Sequence, residues 1–184
     1  MKIFDFPQLS PEWWKMHRTT ATSSRFDQII TPKTGKLSAQ ADGLICELIG
    51  EQFRIGEPPS EPVRNGAIQH GIDTEAEARR WYSLETDADV RQVGFCLSDD
   101  ERFGCSPDGL VGEDGLLELK CPQPKTQVAY LLDGSLPAEY KPQVHGQLIV
   151  TARKWVDFVS YCPGLPPFLL RVTPNDFTET LRTA

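Results

Sequence analysis

The chain has no excess of positive charge. Its 184 residues carry 19 Lys and Arg against 26 Asp and Glu, a net charge of −7. That balance argues against a protein that coats nucleic acid over a broad face, which is usually basic. Contacts to a polyanion would have to come from a local stripe or from cations held by the carboxylates. No apolar run approaches the roughly 20 residues that span a bilayer. The start, Met1-Lys2-Ile3-Phe4-Asp5, lacks a signal-peptide pattern. The expectation is a cytoplasmic protein with no membrane segment. Paired cysteines are missing too: Cys46, Cys96, Cys105, Cys121 and Cys162 form no Cys-x-x-Cys pair. An odd, scattered set in a reducing compartment reads as free, mostly buried thiols and disfavours an iron–sulfur cluster. Repeats and low-complexity tails are absent, and the length suits one domain, residues 1–184, with a real core.

What is there is concentrated in residues 104–122, Gly-Cys-Ser-Pro-Asp-Gly-Leu-Val-Gly-Glu-Asp-Gly-Leu-Leu-Glu-Leu-Lys-Cys-Pro. This stretch reads as two strands joined at Gly112-Glu113-Asp114-Gly115, since Asp-Gly is a strong hairpin signal. Side chains alternate along a strand, so Glu118 and Lys120 share one face while Leu117, Leu119 and Cys121 take the other. The hairpin sets Asp108 alongside Glu118. Two carboxylates and one ammonium then converge at a sheet edge. Two carboxylates can hold hard divalent cations such as Mg²⁺. A lysine beside them can orient or deprotonate a water, or stabilise charge on a phosphate. The trio suits metal-dependent phosphodiester hydrolysis. A lone Glu-x-Lys would be a surface ion pair; the Ser-Pro-Asp-Gly turn before it favours the nuclease.

Elsewhere the pattern predicts alternating helices and strands. Ser10 caps a helix with Pro11 at its first position, Trp13 or Trp14 as core anchor and Arg18 near its end. Arg18 is either a solvated charge or a fork for phosphate oxygens. Thr22-Ser23-Ser24 reads as a second helix start. Residues 38–53, capped by Ser38, read as a core helix through Ala41, Leu44, Ile45, Leu48, Ile49 and Phe53. Residues 54–62 read as irregular. Residues 63–86 read as a long helix with Ile68, Ile72, Ala76 and Trp81 or Tyr82 inward, and Glu75–Arg79 as a pair on one face. Strands are expected at 89–97, 154–162 and 168–172. Helices are expected at 123–133, from about Glu139, and after Thr173-Pro174-Asn175-Asp176. His145 reads as a partly buried or surface histidine rather than a base.

Ser106-Pro107-Asp108-Gly109-Leu110 followed by Leu117-Glu118-Leu119-Lys120-Cys121-Pro122 closely resembles the lambda-exonuclease / YqaJ-like viral recombinase branch of the PD-(D/E)xK nucleases. Weaker elements in the right order extend the resemblance from Trp14 to Tyr161: Arg18 with Thr22-Ser23-Ser24, Gly71 with Glu75, Ala78 and Arg79, and Tyr140-x-x-Gln143. The resemblance implies an α/β restriction-endonuclease-like core, a mixed central sheet flanked by helices. It implies two Mg²⁺ ions, replaceable by Mn²⁺, held by Asp108, Glu118 and the Leu119 carbonyl. Glu75 and either Asp99 or Asp100 would help, and Lys120 would attend the water. Arg18, Ser24, Ser106 and Gln143 would hold a terminal 5′-phosphate, with Gln143 alternatively bracing Lys120. The implied activity is 5′→3′ exonucleolytic degradation of one strand at double-stranded DNA ends, leaving a 3′ single-stranded tail. A ring-shaped homotrimer and a single-strand annealing protein as partner in phage-type recombination are implied with it, in a bacterial host cell. The alternatives are a structure-specific or single-strand endonuclease on the same core, and a catalytically silent DNA-binding module.

Overall fold

The structure is a computed structural model; it describes residues 1–54 and 66–184, with side chains from 74 onward in the second segment. Short strands and helices alternate. In chain order they are β1 (Lys2–Phe4), α1 (Pro11–Thr19), β2 (Ala21–Thr22), a 3-10 helix (Ser23–Gln28), α2 (Ala41–Gln52), α3 (Gly66–Thr86), β3 (Val90–Arg91) and β4 (Phe95–Leu97). There follow β5 (Phe103–Cys105), β6 (Gly109–Val111), β7 (Gly115–Lys120), α4 (Pro124–Asp133), α5 (Lys141–Thr151), β8 (Trp155–Ser160), β9 (Phe168–Val172) and α6 (Asp176–Thr183). The strands make two sheets, ordered β1-β4-β5-β2 and β3-β6-β7-β8-β9. Both are mixed: β7 runs parallel to β8, and β2 parallel to β5, among antiparallel neighbours. The expected α/β class holds.

The β6–β7 hairpin forms as its sequence predicts. Val111 faces Gly115, and Gly112 takes the left-handed conformation (φ +52) that a tight turn needs. β7 is covered on both faces, which is why its sequence reads as nearly continuous apolar residues. Leu116 belongs to a large core with Phe26, Val144, Leu148 and Phe158. Leu117 and Leu119 belong to a second one with Ala78, Tyr82 and Val159. Tyr82 pins α3 to the sheet: its hydroxyl donates at 2.7 Å to Asp157, a fully buried carboxylate that also takes two 2.8 Å bonds from Arg171. Among the described side chains of α3 the buried ones are Thr74, Ala78 and Tyr82, while Ala76 is exposed.

Several expectations are corrected. Residues 89–97 do not make one strand. The chain breaks at 92–94, so β3 joins the five-stranded sheet and β4 the four-stranded one. Ser38 does not cap α2, which starts at Ala41 after a turn in which Gln40 N–H donates to the Ser38 hydroxyl. Nor is α2 a core helix: Leu44 is its buried residue, and Ile45, Ile49 and Phe53 are 55%, 51% and 76% exposed. Periodicity reports that a helix has an apolar face, not that another element of the same chain covers it. The expectations for residues 55–65 lie outside the described residues, as do those for the side chains of Ile68 and Ile72 and the surroundings of Gly71.

α5 is the strut between the core and the site. A Cβ on Gly146 would sit 2.5 Å from Phe26 Cδ2 and 3.0 Å from Ser23 Cβ, so glycine lets α5 touch the 3-10 helix. Gly146→Ala should destabilise the fold by about 1–3 kcal/mol, read as a lower denaturation midpoint.

α6 docks on α5 through His145 Nδ1 and Thr178 Oγ1, 2.8 Å apart. Burial, then the Lys141 charge, lowers the His145 pKa from 6.5 to about 4. The unfolded chain therefore takes the proton first, and stability present above pH 6.5 is lost as pH falls toward 4. The loss should be on the order of 3 kcal/mol, and the pH dependence of unfolding should flatten in His145→Gln.

Candidate active site

Asp108 precedes β6 and continues its ladder. Its N–H donates to Leu117 O at 3.0 Å, and its Oδ2 accepts the Leu119 N–H at 2.6 Å. Glu118 sits on β7 at 2% exposure. Its Oε1 accepts Gln143 Nε2 at 2.6 Å and Lys120 Nζ at 2.7 Å, and its Oε2 accepts Gln147 Nε2 at 2.5 Å. Gln143 and Gln147 lie one turn apart on α5, so both reach the same carboxylate. Lys120 also donates to Gln143 Oε1 at 3.3 Å and stands 4.8 Å from the Tyr140 ring centroid. Glu75 approaches from α3: Arg79 holds its carboxylate at 2.5 Å and donates to the Asp108 carbonyl at 3.2 Å.

The electrostatics follow from this crowding. Burial raises the Asp108 pKa well above the usual carboxylate range, and repulsion from Glu118 and Glu75 adds to it. For Lys120, burial favours the neutral amine, but Glu118 and Asp108 outweigh it and raise the pKa. Lys120 is therefore an ammonium at neutral pH. The site has more buried carboxylate than cation to match it, which is a demand for positive charge from outside.

The opposite wall comes from α1. Ser106 Oγ donates its one proton to Gly94 O at 2.8 Å and accepts Trp13 Nε1–H at 2.8 Å. His17 Nε2, 3.1 Å from the same oxygen, must then be a donor too. His17 is the Nε2–H tautomer with Nδ1 left as acceptor. Burial, with Arg25 nearby, lowers its pKa to about 4, so the ring is neutral. It stacks on Trp13 at 3.7 Å between centroids.

One cleft of about 300 Å³ gathers Ser24, Glu75, Ser106, Asp108, Glu118, Leu119, Lys120 and Gln143. Three expected residues are not brought there. Arg18 Nε faces Glu51 on α2 at 3.4 Å, because that carboxylate is the nearer counter-charge. Asp99 binds the N-terminal ammonium at 2.6 Å, and Asp100 accepts from the Ser98 hydroxyl and the Arg102 N–H. Both aspartates sit on the β4–β5 turn of the other sheet and border a separate groove of about 940 Å³. Ser106 lines the cleft, but its only proton is committed to Gly94.

The model of the YqaJ-like viral recombinase domain matches residues 12–154. The chain belongs to this family. LHK-Exo in complex with dAMP is 33% identical, with 95% of this chain and 88% of that chain covered and a TM-score of 0.80. The alkaline exonuclease LHK-Exo from Laribacter hongkongensis gives 30% identity, coverages of 95% and 90%, and a TM-score of 0.76. A phage related exonuclease from Haemophilus somnus 129PT shares the fold at 13% identity, with coverages of 92% and 91% and a TM-score of 0.61. No curated protein matches the chain. Among the described residues no helix is long and apolar enough to cross a membrane.

Trp13 and His17 line this cleft and Gln147 bonds Glu118 behind it, although the sequence marks Trp13 only as one of two candidate core anchors and singles out neither of the others. Gln147 lies four positions from Gln143, and His17 four from Trp13, so helical spacing is the signal that could have found these two. Ser106→Ala should lower stability by about 1–3 kcal/mol, since it strands Trp13 Nε1 and Gly94 O. Ser24→Ala, at an exposed residue whose hydroxyl lies 3.1 Å from Thr22 Oγ1, should cost less, about 1 kcal/mol at most. Equal losses in thermal unfolding would show that Ser106 is not the tie between α1 and the sheet.

Proposed function

We propose that the chain is a metal-dependent 5′→3′ exonuclease that resects one strand at double-stranded DNA ends for recombination. The observation that carries this is the convergence of Asp108, Glu118 and Lys120 in one cleft. Membership of the YqaJ-like family and the likeness to alkaline exonuclease structures support a recombination exonuclease.

Among the described residues no three His, Cys, Asp or Glu side chains form a metal cage by themselves. Two carboxylates and a backbone carbonyl nevertheless fit Mg²⁺, or Mn²⁺ in its place. Such ions bind through one or two carboxylates, keep several waters and borrow oxygens from a phosphate substrate. Burial first, then repulsion from Glu118 and Glu75, raises the Asp108 pKa, and a divalent cation would offset both. Asp108, Glu118 and the Leu119 carbonyl would hold it, with Glu75 behind Asp108. The cation supplies polarisation of the scissile phosphate and a more acidic attacking water.

Lys120, charged and braced by Gln143, orients the water and offsets charge on the phosphate by donation rather than as a base. Ser24 offers an exposed hydroxyl to the terminal 5′-phosphate. Trp13 and His17 close the cleft with a neutral wall. A trimer of such chains, acting with a single-strand annealing protein, belongs to the same proposal. The uncovered apolar residues of α2 support association with further chains.

The test is one linear duplex with a 5′-phosphate on one end and a 5′-hydroxyl on the other, beside a closed circle, with Mg²⁺. Release of mononucleotides from the phosphorylated strand and an intact circle are expected. Lys120→Ala should slow cleavage by about 10²–10³-fold without unfolding the protein. A cut circle would replace the exonuclease with an endonuclease on the same site. No cleavage with Mg²⁺ or Mn²⁺ would remove the enzyme altogether.

A further inference from the structure

Gln147 is fully buried and does not line the cleft, so it cannot touch a substrate. Its Nε2 nevertheless ends 2.5 Å from Glu118 Oε2. A carboxylate only accepts, so this contact fixes which end of the amide faces Glu118. The other end, Oε1, is buried with no partner. A buried carbonyl left unmet is unfavourable, and packing alone would be served better by an apolar side chain of the same size. The amide is explained by what its nitrogen does to Glu118.

A carboxylate has about four lone-pair sites. On Glu118, Gln143 and Lys120 take both sites of Oε1, and Gln147 takes one of Oε2. One site on Oε2 stays open, in an orientation that α5 dictates. The helix cannot yield easily: Gly146 meets Phe26, and the Thr151 hydroxyl holds the Gln147 carbonyl at 2.7 Å.

We propose that Gln147 is a positioning residue that clamps the rotation of Glu118 and so presents one set oxygen lone pair to the catalytic divalent cation. This rests on the metal-dependent reading above. Gln147 would act on cation binding and turnover, not on DNA binding.

The experiment titrates wild type and Gln147→Met with Mn²⁺ by calorimetry without DNA, then measures kcat and KM for a linear duplex across Mn²⁺ concentrations. Methionine keeps the length and removes the donor. The expected result is Mn²⁺ binding weakened about 10-fold, a reduced kcat that recovers at high Mn²⁺, and an unchanged KM for DNA. Equal Mn²⁺ affinity in the two proteins overturns the inference, whatever the change in melting temperature. If the methionine variant does not fold, Gln147→Asn, which keeps the amide but falls one methylene short, should weaken Mn²⁺ binding in the same direction; wild-type affinity in it overturns the proposal. A wild-type protein that binds no Mn²⁺ overturns the metal-dependent reading and this inference together.

Discussion

A carboxylate buried inside a sheet must be compensated on every side, and Glu118 is. Isolated, it would take up a proton or expel itself toward water, because desolvation of a charge costs several kcal/mol. Here two amides and one ammonium meet its oxygens within 2.7 Å. All three partners are placed by two elements, β7 and α5. The parallel β7–β8 pair fixes the strand, and the contact at Gly146 fixes the helix. The hydrophobic core and the polar site therefore share one support, and a shift of α5 disturbs both.

The charge balance of the cleft is unusual for a chain that is proposed to act on a polyanion. Among its described lining residues Lys120 is the cationic one, and His17 is neutral. Arg18 and Arg25, the arginines of the α1 region, are engaged with Glu51 and Glu47 on α2. Under the proposed metal-dependent reading, a divalent cation would add positive charge for a phosphate to that of Lys120. The two carboxylates keep Lys120 protonated against its burial.

Much of the fold was legible because its signals are local. Ser10 caps α1 and accepts the Trp13 N–H, Gly134 ends α4 in the left-handed conformation, and Asn175 opens α6 with a reciprocal cap. These depend on a few neighbouring residues, and so does the Gly112 turn that aligns Asp108 with Glu118. The misses were non-local. The three-residue strand β1 exists because Phe4 has Phe95 to pair with, and three residues carry no period of their own. The exposed face of α2 could not be known without knowing what lies opposite it.

The order of residues alone determined the catalytic candidates. A hairpin of fixed register and the alternation of side chains along β7 force Asp108, Glu118 and Lys120 together, whatever the rest of the chain does. Only the tertiary structure decided who joins them. Glu75 and Gln143, which the resemblance implied, and Gln147, which it did not, come from helices whose approach is set by packing, while Asp99, Asp100 and Arg18 are drawn away by nearer partners. Proximity along the chain sets the first group; competition between charges and the close approach of helices to the sheet sets the second.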